Sequence, residues 1–217
     1  ETGIAVEFGA GERSTETGNI DLKTTTGVRW VVPLGSQTYG NPTVSNGKVF
    51  IGTNNDGEYR PGVEGDHSVL LAFSESDGSF LWQYTAPKLG AGKVNDWEYL
   101  GICSSPAVIG EVIYLVSSTG EVVALDVDGQ VDGNDGVQDE STTFVGPGKP
   151  PLTIGDQDAD VLWRFDMREE LGVFPHNVTS SSVLVVGDRL YVTTSNGTDW
   201  SHLNVPSPYS PSLIVLD

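Results

Sequence analysis

The sequence predicts an all-β fold made of repeated four-stranded antiparallel units. Short runs of Val, Ile, Leu, Tyr and Thr are separated by turn residues, among them 27 Gly and 12 Pro in 217 residues. Amphipathic stretches of helical length are nearly absent. A pattern of short strands, Gly-containing turns and a Trp-bearing last strand also returns along the chain. Together these observations favour a repeat protein over a mixed or helical domain.

Three copies of this pattern account for most of the chain. They occupy residues 41–85, 104–167 and 181–217. The first two copies contain four strands each, with Trp82 and Trp163 in the last strand. The third copy stops where a fourth strand is expected. We predict that each copy is one blade of antiparallel strands, the third blade being incomplete.

Two further stretches complete the predicted organisation. Residues 27–34 carry Trp30 in an apolar run that matches the Trp-bearing strands of the copies, so we predict the outer strand of a preceding or closing blade. Residues 1–18 are predicted to be a flexible segment, and residues 19–217 a partial repeat domain. Long insertions interrupt the blades at residues 54–67, 128–160 and 196–211, and we call them the first, second and third insertions.

Blades of this kind predict a β-propeller. A four-stranded blade cannot bury both of its faces alone, and radial stacking of blades covers them. Closed propellers have about 4 to 8 blades, so about three blade equivalents predict a part of a larger ring of about seven or eight blades.

The turns and strand ends of the repeat carry a family resemblance. Residues 124–126 read Ala-Leu-Asp, and residues 77–82 place an Asp-Gly turn shortly before Trp82. In these features the chain resembles the pyrroloquinoline-quinone-like repeat family, although Phe73-Ser74 replaces Leu-Asp in the first copy. The resemblance implies a quinoprotein-like propeller, and we predict a secreted or periplasmic protein.

Charge and cysteine content exclude several classes of function. The chain has 11 Lys and Arg against 30 Asp and Glu, a formal net charge of -19. Such a surface repels phosphate backbones and anionic lipids, so no nucleic-acid partner is expected. No apolar run approaches the roughly 18 residues of a membrane span. Cys103 is the only cysteine, which rules out an intrachain disulfide.

An acidic, Gly-rich loop in the second insertion is the candidate metal site. Its predicted calcium ligands are Asp126, Asp128, Asp132, Asn134 and Asp135. Hard oxygen ligands on a flexible loop suit calcium, although the spacing is not that of an EF-hand. The alternative is an acidic loop that binds no specific ion. The nearby Asp156, Asp158 and Asp160 could add ligands, but a solvated turn is the simpler interpretation.

Two loops of the third copy form a second candidate site. They contribute His176, Asn177, Asn196, Asp199 and His202, which are predicted to meet on one rim of the propeller. Imidazole can bind a metal or transfer protons, and Asn or Asp can orient it. Hydrogen bonding within turns is the alternative role. His67, beside Asp66, is assigned a surface or turn role.

Two function classes follow from these features. The first is a noncatalytic binding scaffold, which calcium could brace. Its partner is a protein, a glycan or the remaining blades of the same propeller. The second is a quinone-dependent oxidoreductase or an electron-transfer partner. Quinoprotein dehydrogenases typically carry an adjacent disulfide-linked cysteine pair, which the lone Cys103 does not supply. The scaffold is therefore favoured, with no catalytic residue assigned.

Overall fold

The computed structural model describes residues 3–217 and contains three antiparallel sheets in chain order, preceded by a small hairpin. The hairpin pairs β1 (Glu12–Arg13) with β2 (Ile20–Asp21). The predicted flexibility of residues 1–18 stays a prediction, and residues 1–2 lie outside the described part of the chain.

The first two sheets have four strands each, as the repeat predicts. The first contains β3 (Thr43–Ser45), β4 (Lys48–Asn54), β5 (His67–Ser74) and β6 (Phe80–Pro87), in that spatial order. The second contains β7 (Ala107–Ile109), β8 (Val112–Val116), β9 (Glu121–Asp126) and β10 (Val161–Asp166), again in order. Each strand therefore pairs with its neighbour in sequence, which is the meander of a propeller blade.

The third sheet has three strands, which is the number of strands that the sequence predicts for the third copy. These are β11 (Leu184–Val186), β12 (Arg189–Thr193) and β13 (Leu213–Leu216). Helices are short: α1 is Glu140–Thr143 and α2 is Met167–Leu171, with single 3-10 turns at Leu22–Thr24, Asn55–Gly57, Gly92–Val94 and Gly129–Val131. None of the helices in residues 3–217 has the length and apolar character needed to cross a membrane.

The hydrophobic cores lie between successive blades. Phe50, Leu70 and Trp82 of the first blade pack with Ile113 and Leu125 of the second. A second core joins the second and third blades, and it includes Val116, Val122, Met167, Val183, Leu190 and Val192. The middle strands are buried on both faces, which explains why they read as continuous apolar runs. Stacking, rather than any single sheet, therefore excludes water.

Residues 27–34 differ from their predicted conformation. They do not pair into a sheet; instead Val32 and Leu34 pack as an extended segment on the face of the first blade that lies away from the second. Trp30 is held there because its Nε1 donates to the Glu75 carbonyl (2.9 Å). The apolar side chains of this run are partly buried against the blade, but its backbone has no strand to pair with. The predicted outer strand is therefore wrong.

The long insertion of the second blade folds back onto the first. The Gln83 amide of β6 donates to the Gln157 carbonyl (3.0 Å), and the Ala159 amide donates to the Gln83 carbonyl (2.9 Å). These bonds cover the outer edge of β6, which otherwise presents unpaired backbone groups to solvent. The insertion is thus a structural part of two blades.

Candidate functional site

Most of the loops that connect the strands lie at one end of the blades. Because neighbouring strands are antiparallel, the connection between the second and third strands and the connection to the next blade leave from the same end. Residues 88–103, 172–180 and 194–211 meet there, and we call these three loops the rim. The Trp97 amide donates to the Asn177 carbonyl (2.6 Å), and the Asn177 amide donates to the Val94 carbonyl (2.8 Å).

Buried polar contacts hold the first rim loop in place. The Asp96 carboxylate accepts from Lys88 Nζ and from the Leu89 amide, and the Asn95 amide side chain donates to the Pro175 carbonyl (2.7 Å). Burial raises the pKa of Asp96, and Lys88 counteracts that rise. The rim is therefore a cross-linked surface with fixed loop positions.

Three of the five predicted rim residues come together. His176 and His202 lie with ring centroids 4.8 Å apart at an interplanar angle of 77°. The side-chain Nδ2 of Asn177 lies 3.0 Å from His176 Nε2, while His176 Nδ1 lies 2.7 Å from the Thr198 carbonyl oxygen. The carbonyl can only accept, so Nδ1 carries the proton and Nε2 presents its lone pair.

The other two predicted rim residues are structural. Asn196 joins two loops, accepting from the Phe174 amide (2.9 Å) and donating to the Ser207 carbonyl (2.9 Å). Asp199 binds within its own turn: its carboxylate accepts from Ser201 and from Asn204. Hydrogen bonds, chiefly those from Ser201 and Asn204, lower the pKa of the Asp199 carboxyl.

The rim loops also carry exposed aromatic side chains. Trp97, Trp200 and Tyr209 are 38%, 56% and 99% exposed, and Leu203, which follows His202 in the sequence, is also exposed. Soluble proteins rarely leave several large aromatic residues uncovered on one surface without an interaction role. The sequence alone does not predict this aromatic character, because the exposed rings come from separate loops.

The predicted calcium ligands are only partly brought together. Asp128 forms an ion pair with Lys48 (2.6 Å), and the Asn134 amide donates to Glu140 (3.2 Å). Asp126 Oδ1 accepts from the Asp128 amide (2.7 Å). Within residues 3–217, no group of three or more His, Cys, Asp or Glu side chains has the arrangement of a metal site.

A smaller carboxylate group remains at this loop. Asp160 is buried, its Oδ2 accepts from the Asp135 amide (3.0 Å), and its Oδ1 has no hydrogen-bond partner. Burial raises the pKa of both Asp126 and Asp160, and the negative charge of Asp132 raises it further. Asp126, Asp132 and Asp160 therefore repel one another, and Asp160 Oδ1 is an oxygen that a cation would satisfy.

The second acidic run is not a solvated turn. Asp158 and Asp160 are both buried. Asp158 accepts two hydrogen bonds from Arg60, through Nε and Nη2, each 2.9 Å long. Arg60 also donates to the Thr153 carbonyl (2.6 Å), so it ties the first insertion to the second.

A cleft of about 620 Å³ opens beside this junction. It is lined by both insertions, including Arg60, His67, Lys149 and Leu152. His67 is buried at the start of β5, so its predicted surface role is wrong, while its Nδ1 lies 3.4 Å from the Gly65 carbonyl oxygen in the turn before the strand. The sequence contained no local signal for this cleft because its two walls come from separate insertions.

The stacked four-stranded sheets point to a family of repeat proteins, and sequence comparison identifies that family. The sequence model of the family described as outer membrane protein assembly factor BamB matches residues 13–144, which is more than half of the chain. The chain belongs to this family of PQQ-like β-propellers. No curated protein matches the sequence.

A solved structure of a BamB protein, from Moraxella catarrhalis, is 15% identical to this chain and superimposes with a TM-score of 0.47. The match covers 79% of this chain and 39% of that protein. This BamB-family chain thus spans about two-fifths of the length of the solved protein it matches.

The lone cysteine of this BamB-family chain has no feature of a reactive thiol. Burial raises the pKa of Cys103 to about 11, so the thiol is protonated at neutral pH. The predicted quinone chemistry has no residue assigned to it in residues 3–217, and it stays a prediction.

Proposed function

We propose that this BamB-family chain is a noncatalytic scaffold, acting in the periplasm or outside the cell, that binds a protein partner through the rim. The observation that carries this proposal is the set of exposed aromatic residues, Trp97, Trp200 and Tyr209, on loops that are hydrogen-bonded to one another. Aromatic side chains bury a large area at little cost in conformational entropy, and they dominate many protein interfaces.

Site-specific photo-crosslinking tests this proposal. A photoreactive amino acid is placed at position 200 or 209 on the rim, and at Val131 as an exposed control on the acidic insertion. The proposal predicts one discrete protein adduct from the rim positions in the native host, and none from position 131. Equal crosslinking at all positions, or a carbohydrate adduct alone, contradicts a protein-binding rim.

The same proposal includes further blades that complete the ring. Leu184, Val186, Leu213 and Val215 are all exposed on the third sheet. The register pairs Leu184 with Tyr191 and Tyr191 with Val215, so these side chains share one face of the sheet. In the first two blades the corresponding surfaces are buried by the next blade, so a following blade is the natural cover for this face.

Calcium is the proposed brace of the acidic insertion, with the buried Asp160 as its anchoring ligand. Asp126 and Asp132, which are not arranged with Asp160 as a metal site within residues 3–217, would move towards the ion as it binds. The unpartnered, buried Oδ1 of Asp160 supports this ligand set. A bound divalent ion would relieve the repulsion among the three carboxylates and supply that missing contact. Asp128 and Asn134 are left out because Lys48 and Glu140 already occupy them.

A further inference from the structure

The histidine pair on the rim has the chemistry of a transition-metal site. His176 Nδ1 donates to the Thr198 carbonyl (2.7 Å), which leaves the lone pair of Nε2 directed away from that bond. Metal-binding histidines typically donate their second ring nitrogen to a carbonyl or a carboxylate, because this fixes both the tautomer and the ring. His176 therefore has the hydrogen bond that a ligand would need.

The second imidazole lies at a suitable distance. Two imidazoles bound to one tetrahedral ion, with metal–nitrogen distances of about 2.0–2.1 Å, place their ring centroids roughly 5 Å apart. The centroids of His176 and His202 are separated by 4.8 Å. No hydrogen bond to a ring nitrogen of His202 is found within residues 3–217. Its nitrogens are therefore available to an ion.

An oxygen atom without a partner stands beside the pair. The Asn177 amide group contacts His176 Nε2 through its nitrogen, while its Oδ1 is buried and accepts no hydrogen bond. An ion bound at Nε2 would displace the Asn177 amide nitrogen, and a half-turn of the side-chain amide group would then bring its oxygen to the ion. After that rotation two nitrogens and one amide oxygen, from two separate loops, can bind one ion.

Backbone strain is concentrated at the same place. Asn177, Ser195 and His202 have φ values of 63°, 60° and 58°, in the left-handed region that is unfavourable for side-chain-bearing residues. Such conformations cluster at functional sites. Two of the three strained residues are the proposed donors themselves.

We propose that His176, His202 and Asn177 bind one divalent transition-metal ion of the zinc or copper class. Imidazole nitrogen suits these ions, whereas calcium prefers oxygen. The site is therefore distinct in chemistry from the acidic insertion, and it does not depend on what the rim binds.

Isothermal titration with Zn²⁺, in buffer containing excess Ca²⁺ to occupy the many carboxylates, tests the proposal. The wild-type protein is expected to bind one Zn²⁺ ion. His202→Asn removes an exposed imidazole and keeps a residue that tolerates the left-handed conformation. It should weaken Zn²⁺ binding by about 100-fold or more, since changes in outer-shell partners alone cost 10–100-fold.

His67→Gln is the matched control, because His67 is the third histidine of the chain and lies outside the rim. It should bind Zn²⁺ as the wild type does. Unchanged melting of His202→Asn in chelator shows that the loss is not unfolding, and electron paramagnetic resonance of bound Cu²⁺ should show coupling to nitrogen. Absence of a Zn²⁺ site above the calcium background, or equal binding by His202→Asn, overturns the proposal.

Discussion

At the scale of single residues, Arg60 shows how one side chain joins distant parts of the chain. It lies in the first insertion, 98 residues from Asp158 in the sequence. Its guanidinium nevertheless donates to the Asp158 carboxylate through two nitrogens. The two side chains are only 14% and 1% exposed. Removal of one partner from such a pair leaves a charge without compensation in a region with little water.

Arg60→Met should therefore destabilise the protein by about 3–5 kcal/mol, the range for broken buried ion pairs. Urea unfolding followed by tryptophan fluorescence measures this loss. Arg189→Met is the control, because Arg189 and Asp217 form a surface pair with side chains 56% and 84% exposed. That change should cost less than about 1 kcal/mol. Similar losses in the two variants would contradict a structural role for Arg60.

Asp160 gives a prediction that depends on both pH and calcium. Burial raises its pKa in the folded protein above the ordinary value of 3.8, so folding favours the protonated form. The resulting penalty is absent below pH 3.8 and is complete once the pH exceeds the folded pKa. In chelator, Asp160→Asn should therefore melt above the wild type at neutral pH, with the difference shrinking on acidification.

Calcium should reverse this order. Added Ca²⁺ should raise the melting temperature of the wild type but not that of Asp160→Asn, because the variant lacks the ligand charge. Differential scanning calorimetry in Ca²⁺ and in chelator makes the measurement. An equal response of the two proteins to Ca²⁺ would count against the proposed ligand set.

At the scale of elements, the contact between β4 and the first rim loop depends on a missing side chain. A Cβ at Gly52 would lie 2.3 Å from the Ile102 carbonyl oxygen. The Ile102 amide also donates to the Thr53 carbonyl (3.2 Å), so the loop runs directly along the strand. This close contact fixes the position of the first rim loop relative to β4.

Gly52→Ala should push this loop away from β4 and destabilise the protein by about 1–3 kcal/mol, as overpacking does. Gly90→Ala is the control in the same loop, because nothing lies within 4 Å of its Cβ position. Equilibrium unfolding should show a change within about 0.5 kcal/mol for the control. If Gly52→Ala is equally neutral, the contact between loop and strand is not tight.

The open face of the third blade yields a second prediction at this scale. Leu213 and Val215 are exposed on the edge strand β13, and no strand pairs with its outer side in residues 3–217. Exposed apolar edge strands recruit other chains. The 217-residue chain should therefore self-associate as its concentration rises, and Val215→Lys should suppress this association.

Light scattering coupled to size-exclusion chromatography measures the association. Val131→Lys, a change at an exposed position on the acidic insertion, is the control and should leave it intact. A monomer at all concentrations would argue against this face as the seat of a further blade.

At the scale of the whole molecule, the net charge of -19 opposes the compact state. Only a minority of the 30 acidic residues can be paired by 11 basic ones, and the remainder repel one another across the surface. Screening of these charges is nearly complete beyond about 3 Å at 1 M salt, compared with about 10 Å at 0.1 M.

The melting temperature should therefore rise as NaCl increases from low concentration towards 1 M, the range over which the screening length falls to about 3 Å. Thermal unfolding followed by circular dichroism checks the expectation, with an uncharged osmolyte at matched osmolality as the reference. A melting temperature that falls with added salt would show that attractive ion pairs outweigh the repulsion.

The sequence by itself determined the blades. Strand alternation, Gly turns and the recurring Trp are local signals, and they located each four-stranded unit and its core residue Trp82, which is buried between two blades. They also predicted that His176 and His202 lie near one another, since the loop before the first strand of the third blade and the loop after its second strand are at the same end of that blade. Local patterns suffice where pairing joins neighbours in sequence.

Only the tertiary structure decided which polar residues are buried. Asp158 and Asp160 read as a solvated turn because acidity usually indicates exposure, yet the fold buries both against residues far away in sequence. Residues 27–34 read as a strand because their apolar run fits either a sheet or a packed extended segment. Long-range contacts, which have no local signature in a single sequence, set these outcomes.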